Sequence, residues 1–322
     1  MNAKSFQLIG LMSGTSGDGL DLAYCEYKKS DNWTFEILEA LTIPFPENLG
    51  HQLSKSHLLT ANELAVLDVT FGKWMGEQVA AFCKEREITP FALCSHGHTV
   101  FHQPNLGLSL QIGNGWALHQ ASGLTVVNDF RMLDIQLGGQ GAPLVPIGDE
   151  LLFPQMDFCI NLGGISNISM KQNEQRVAFD MSPFNILPFY SKKGAKSLGR
   201  EDMEQDFEPL IKNSGLAPKD LLATLIEHYA LQISQVIRDY SQVENPQVLI
   251  TGGGAYNSYF IQRLDAHLEG QWNHFQASSE LIEFKEALIF GFLGLLRLLG
   301  EENCLSSVTG ARRNSSGGVI YS

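Results

Sequence analysis

The chain has 322 residues, enough for two hydrophobic cores, and its 44% apolar and 18% charged content excludes a disordered or low-complexity protein. With 22 basic against 35 acidic residues the net charge is −13, a field that repels polyanions and argues against nucleic acid and anionic membranes as partners. Five scattered cysteines (Cys25, Cys83, Cys94, Cys159 and Cys304) without a Cys-x-x-Cys pair exclude a zinc ribbon and a disulfide framework.

The N-terminus runs straight into a strand at 6–11 with no signal-peptide hydrophobic region, which predicts a cytoplasmic protein. A second strand follows, where Leu20, Leu22 and Tyr24 alternate with Asp21, Ala23 and Cys25. A third, at 33–38, comes after an Asp31-Asn32 turn, so the opening is an antiparallel meander. Its first turn, Met-Ser-Gly-Thr-Ser-Gly-Asp-Gly at 12–19, packs Gly14, Gly17 and Gly19 among Ser13, Thr15 and Ser16. Glycine lets backbone N–H groups approach an oxyanion, and hydroxyls add donors. The turn is no Walker A loop, lacking Gly-Lys-Ser/Thr and a following helix. A plain hairpin is the other reading, although a two-residue turn would close one with fewer special residues.

Further along, 61–87 reads as a helix and 91–94 as a strand leading into His96, His98 and His102. That cluster reads as a hydrogen-bonding wall or, less economically, as a metal site without a recognisable third ligand. Next come Asn128-Asp-Phe-Arg131 and a glycine-rich loop at 137–143. Arg131 is suited to a bidentate carboxylate contact with a substrate, or to a structural pair with Asp129 or Asp134.

A second meander occupies 158–161, 166–170 and 176–180, with a glycine turn of its own at Asn161-Leu-Gly163-Gly164. Two meanders, each followed by α/β units, predict two related lobes around a cleft. Facing glycine hairpins would grip a polyphosphate from both sides. Asp180 ends the last strand, where a general base would stand, or where an aspartate would cap the turn before Pro183. A helix is expected at 219–241 from spacings of three and four between Leu222 and Ile237. The strand at 248–251 enters Gly252, Gly253 and Gly254, with a helix from Asn257: a ligand-binding strand end or a packing turn. The last helix, 279–299, includes the longest apolar stretch, 288–299, too short to span a bilayer and interrupted by Arg297.

In this order the segments 10–21, 95–102, 110–113, 128–146, 161–167, 196–201, 251–254 and 307–310 resemble the anhydro-N-acetylmuramic acid kinases, a family of the actin/sugar-kinase superfamily. The most specific stretches are the first glycine loop and Gly-Gly-Gln-Gly-Ala-Pro-Leu-Val-Pro at 138–146. The resemblance implies an α/β, two-lobed actin/hexokinase-like fold of duplicated RNase H-like domains with an interdomain cleft. It divides the chain into a first lobe at 1–128 with a C-terminal return at 285–322, and a second lobe at 129–284. It implies that ATP with Mg²⁺ phosphorylates 1,6-anhydro-N-acetylmuramic acid at its 6-oxygen while water opens the anhydro ring, in peptidoglycan recycling by a homodimer.

The catalytic aspartate of that family matches Asp180, and its ATP segment matches Gly14, Thr15, Ser16, Gly17, Asp18, Gly19, Leu20 and Asp21. By the superfamily pattern Asn161, Gly163 and Gly164 would touch phosphate, and Gly252, Gly253, Gly254 and Asn257 would lie on the adenosine side. His96, Arg131 and Glu286 fall in segments shared around the sugar pocket; no metal ligands are assigned. Three departures stand out. Gly17 replaces a usual leucine, Phe184 replaces a small residue, and only 186–195 stand where the family has several dozen residues. The shortened segment favours as an alternative a nucleotide-binding homologue with altered or lost sugar-kinase activity.

Overall fold

The computed structural model describes residues 4–13, 19–163, 166–173, 175–181 and 208–322. Strands β1 (Lys4–Ser13), β2 (Gly19–Lys29) and β3 (Trp33–Pro44) form the first antiparallel meander. β3 is longer than its alternation predicts. Tyr24 pairs with Glu39 and Cys25 with Ile37, so Leu38 is an extra, bulged residue. The bulge breaks the period-2 pattern while the ladder continues beyond it.

A short helix α1 (Glu47–Ser54) leads to α2 (Ala61–Arg86), whose start is set by a capping box. The Thr60 hydroxyl accepts from the Glu63 N–H, and the Glu63 carboxylate accepts from the Thr60 N–H at 2.9 Å. Then come β4 (Ala92–Ser95), the hairpin β5 (His98–Gln103) and β6 (Leu108–Ile112), α3 (Gly115–Ser122) and β7 (Val126–Asn128). Helices α4 (Met132–Gln136) and α5 (Pro146–Leu152) bridge to the second meander, β8 (Phe158–Leu162), β9 (Ser166–Gln172) and β10 (Gln175–Met181). The remainder is α6 (Glu208–Asn213), α7 (Pro218–Tyr240), β11 (Gln247–Thr251), α8 (Ser258–Leu268), β12 (Asn273–Phe275), α9 (Ser279–Leu298), α10 (Ser306–Thr309) and β13 (Val319–Tyr321).

The two large sheets repeat one plan. In the first the order is β13-β7-β4-β1-β2-β3, and in the second β10-β9-β8-β11-β12. Each places its meander on one side of a central strand and two parallel strands on the other. This is the two-lobed α/β plan that the repeated meander predicts, in the duplicated RNase H-like form that the family resemblance implies. Strand β13 adds an antiparallel edge to the first sheet.

Strand parity distributes the cores. Ile9, Leu11, Leu20 and Leu22 turn towards Phe71, Met75 and Val79 of α2. Leu8, Ala23 and Cys25 face the opposite way, onto α9. In the second sheet Phe158, Ile160, Ile168 and Met170 pack on Ala230, Ile233 and Ile237 of α7 and Phe260 and Leu264 of α8. Helix α9 lies deepest of all. The core it shares with the first sheet also contains Cys159 of β8, Leu249 of β11, and Leu152 and Phe153 at the end of α5. It approaches β1 so closely that a Cβ on Gly10 would stand 1.8 Å from the Ala287 carbonyl oxygen, a contact only glycine permits. Among the described residues no helix is long and apolar enough to cross a membrane.

Candidate active site

The face of the second sheet turned away from α7 and α8 carries a polar row, and its rows follow from the register. Asn161, Asn167 and Asp180 are partners across β8, β9 and β10. One pleat repeat along, the row is Cys159, Ser169 and Ala178. Asp180 is buried at 6% exposure in a row it shares with two asparagines. Burying a carboxylate is costly without partners or purpose.

Helix α9 meets the end of this face. Asn161 donates through Nδ2 to Glu286 Oε1 at 2.9 Å. Burial pushes the Glu286 carboxyl above its ordinary range, and the like charge of Asp21 adds to that, while Lys285 and Arg131 oppose it. Asp21 comes from β2 of the first sheet, where its Oδ1 accepts from the Thr42 hydroxyl at 2.6 Å. Side chains from both sheets and the helix between them therefore share one electrostatic neighbourhood.

Arg131, with Lys285, brings positive charge to this neighbourhood. Its Nε and Nη2 approach His96 Nε2 at 3.1 and 2.8 Å, and Nη1 donates to the Gly141 carbonyl at 2.7 Å. Burial draws the arginine's pKa down, and Asp180 and Glu286 are the first charges acting against that. His96 contacts the Gly97 carbonyl through Nδ1 at 2.9 Å. A carbonyl only accepts, so Nδ1 carries the proton and Nε2 offers its lone pair to the guanidinium. Burial, then Arg131, holds His96 well below the usual histidine range and His102 at about 4.

The other histidines of the cluster serve different bonds. His98 lies between the Ser13 hydroxyl (3.2 Å) and the Leu53 carbonyl (3.1 Å), and His102 contacts the Ser109 hydroxyl at 3.1 Å. Among the described residues no group of three or more His, Cys, Asp or Glu is placed to hold a metal ion. The carboxylates weighed as structural partners of Arg131 are engaged elsewhere. Asp134 accepts from the Gly141 N–H, the Thr309 hydroxyl and the Cys304 thiol, and Asp129 accepts from the Met132 N–H.

The glycine elements are constrained by packing. Gly252 adopts φ +80°, and a Cβ there would meet Asn161 Oδ1 at 2.6 Å; one on Gly254 would meet the Leu162 side chain at 2.6 Å. A Cβ on Gly253, by contrast, would meet nothing within 4 Å. The packing-turn reading thus accounts for two of the three glycines, and Gly253 alone borders open space. Asn257 caps α8, its Oδ1 accepting from the Phe260 N–H at 3.0 Å. Gly163 is exposed at the end of β8, and Gly19 opens β2. Leu20 is wholly buried in the core under α2, so only its backbone can face a ligand. Gly14, Thr15, Ser16, Gly17, Asp18, Gly164 and Phe184, with the shortened stretch at 186–195, lie outside the described residues.

Sequence reasoning did not single out Asn167, Lys285, Asp149 or the Gly141 peptide. The alternation of β8 to β10 carried a signal for Asn167, because period 2 puts every second residue on the face of Asp180. Nothing local marked Lys285 or Asp149, which pair across the core, while the Gly141 peptide lies in the glycine-rich loop only ten residues from Arg131.

The family model for anhydro-N-acetylmuramic acid kinase matches residues 6–188 and 187–322. It breaks where the resemblance had located the shortened segment. An anhydro-N-acetylmuramic acid kinase of Pseudomonas syringae pv. syringae (strain B728a) is 32% identical over 365 residues, covering 98% of this chain and 99% of the relative. That of Pasteurella multocida (strain Pm70) is 31% identical over 374 residues, covering 100% and 98%. Among solved structures, the ROK hexokinase of Thermus thermophilus aligns over 90% of this chain and 99% of its own, with 10% identity and a TM-score of 0.44.

Proposed function

Since the chain belongs to the anhydro-N-acetylmuramic acid kinase family, we propose that it transfers the γ-phosphoryl group of ATP to the 6-oxygen of 1,6-anhydro-N-acetylmuramic acid, with water opening the anhydro ring. The observation that carries this reading is the buried Asp180, in a row with Asn167 and Asn161 and within the field of Arg131.

In this reading the Asp180 carboxylate takes a proton from a water whose oxygen bonds to the anomeric carbon. The C1–O6 bond breaks, its electron pair goes to O6, and O6 bonds to the γ-phosphorus as ADP leaves. The products are N-acetylmuramic acid 6-phosphate, ADP and one proton, which Asp180 returns to solvent. A positioned carboxylate base contributes about 10²–10⁴-fold. The phosphoryl half depends on orientation and on donors aimed at the charge.

Arg131, held rigid by His96 and Gly141, would orient the sugar, with the Glu286–Asn161 pair limiting its other side. The loop at 14–21 and the end of β8 at Asn161, Gly163 and Gly164 would face phosphate, and Gly253 the adenosine side. Mg²⁺ would neutralise charge on the phosphate oxygens, keeping much of its water as this hard cation does. The lobes in this reading are 1–128 with 285–322, and 129–284. A cytoplasmic homodimer is part of the same proposal, checked by light scattering and fractionation. The reading as a nucleotide-binding relative without turnover has nothing further in its favour, since the family match continues past the break to residue 322.

The test is ADP release coupled to a reporter, with and without the anhydro-sugar. Sugar-dependent turnover is expected, with Asp180→Asn binding ATP normally by calorimetry while losing about 10²–10⁴-fold in kcat. Absence of sugar-dependent ADP release from the unaltered protein, or full turnover by Asp180→Asn, would overturn the assignment.

A further inference from the structure

Lys285 is 3% exposed, in the middle of an otherwise apolar core surface of α9. Its Nζ lies 2.6 Å from Asp149 Oδ1 of α5, and both side chains are buried. Asp149 Oδ2 accepts from the Ser169 hydroxyl of β9 at 2.5 Å. Ser169 stands on the same sheet face as Asn167, one pleat repeat along. The next residue of α9, Glu286, is bonded to Asn161 in Asn167's own row. Consecutive side chains of one helix are thus tied to consecutive rows of one sheet face, Lys285 through Asp149 and Ser169, Glu286 directly. Successive helix side chains diverge by about 100°. Both ties can be made together only at one rotation and one axial setting of α9.

We infer that Lys285 is a positioning residue for the reaction: its buried pair with Asp149 sets the turn of α9 that presents Glu286 to the site. The inference rests on the proposed reading of Glu286 as a site residue. Stability alone is a weak reason for the pair, because an apolar pair of similar volume is often neutral or stabilising in such a place. The lysine also acts through its charge. Asp149, Cys159 and Arg176 face it, with Glu150 3.3 Å from Arg176. Around Glu286 stand Lys285, Arg131, Asp21 and the Asn161 amide, and Lys285 is the first of the charges that favour its ionised form.

The experiment compares Glu286→Gln, Lys285→Met, Lys285→Arg and the paired replacement Lys285→Met with Asp149→Leu. Folding, ATP affinity and the pH profile of kcat are measured for each. Lys285→Met alone strands the Asp149 charge and is expected to lower the unfolding midpoint, so the double replacement carries the test. It should fold and bind ATP as the unaltered chain does, lose about 10²-fold in kcat, and move the limb governed by Glu286 to higher pH. Lys285→Arg should recover part of kcat. Were the double replacement to keep the original kcat and pH profile while Glu286→Gln lost activity, the positioning role would be refuted. Were Glu286→Gln itself fully active, the fault would lie with the reading of Glu286.

Discussion

Arg131 presents two nitrogens, Nε and Nη2, to one acceptor, His96 Nε2, while Nη1 reaches the Gly141 carbonyl. The arrangement requires a neutral imidazole with its proton on Nδ1, and so it ties the site to pH. Burial keeps His96 and His102 below the ordinary value of 6.5 in the folded protein, His102 at about 4. The unfolded chain binds these protons first as pH falls. Their contribution to stability is therefore complete above 6.5 and is lost as pH falls from there, down to about 4 for His102 and well below the ordinary histidine range for His96. Urea midpoints between pH 8 and 4 should fall across that window, and His102→Asn should flatten the slope. An unchanged slope in that variant would contradict the assignment.

A lysine cannot reproduce the fork of Arg131. Arg131→Lys should lose at least one charge-assisted bond of about 1.5–3 kcal/mol, a fall of about ten- to a hundredfold in kcat/KM for the sugar. The KM for ATP should stay the same. Steady-state kinetics with each substrate varied separately decide it, and an effect confined to ATP would place Arg131 outside the sugar site.

Two glycines make opposite predictions. Gly10→Ala would drive a Cβ into backbone atoms of α9, 1.8 Å from the Ala287 oxygen and 2.8 Å from the Gly291 nitrogen. Backbone cannot swing aside as a side chain does, so a loss of about 1–3 kcal/mol or more is expected in urea unfolding. Gly253→Ala meets nothing within 4 Å and should leave the unfolding midpoint in place. If adenosine lies against that open face, the same variant raises the KM for ATP; an unchanged KM removes Gly253 from the nucleotide site.

The five cysteines should differ sharply in reactivity. Cys25, Cys94, Cys159 and Cys304 are buried, and burial pushes the Cys25 and Cys159 thiols to about 12. Cys83 is the one that is not fully buried, although its thiol too is raised by burial. Since the thiolate is the nucleophile, one thiol per chain should react with a disulfide reagent under native conditions, and Cys83→Ser should abolish that phase. A fast phase surviving in Cys83→Ser would show a second accessible thiol.

Much of the architecture was legible in the amino-acid order because its causes are local. Period-2 alternation marked both meanders, apolar spacings of three and four marked Pro218–Tyr240, and the last helix, read at 279–299, is Ser279–Leu298, each within one residue of its observed ends. The resemblance put forward Asp180 as the base and placed Arg131 in a segment shared around the sugar pocket, and both remain part of the proposed function. The bulge at Leu38 hid the second half of β3, because one extra residue inverts the alternation that follows it.

What tertiary structure alone decided is partnership over long sequence distances. Arg131 turned from the nearby Asp129 and Asp134 to His96, 35 residues earlier. Glu286 met Asn161 across 125 residues, and Lys285 met Asp149 in the core. Alternation along a strand states which side chains share a face, but not which face is dry or what packs against it. That choice is made when α9 docks between the two sheets. Burial then raises the energetic stake of every charge it encloses, and each must find its partner from a remote part of the chain.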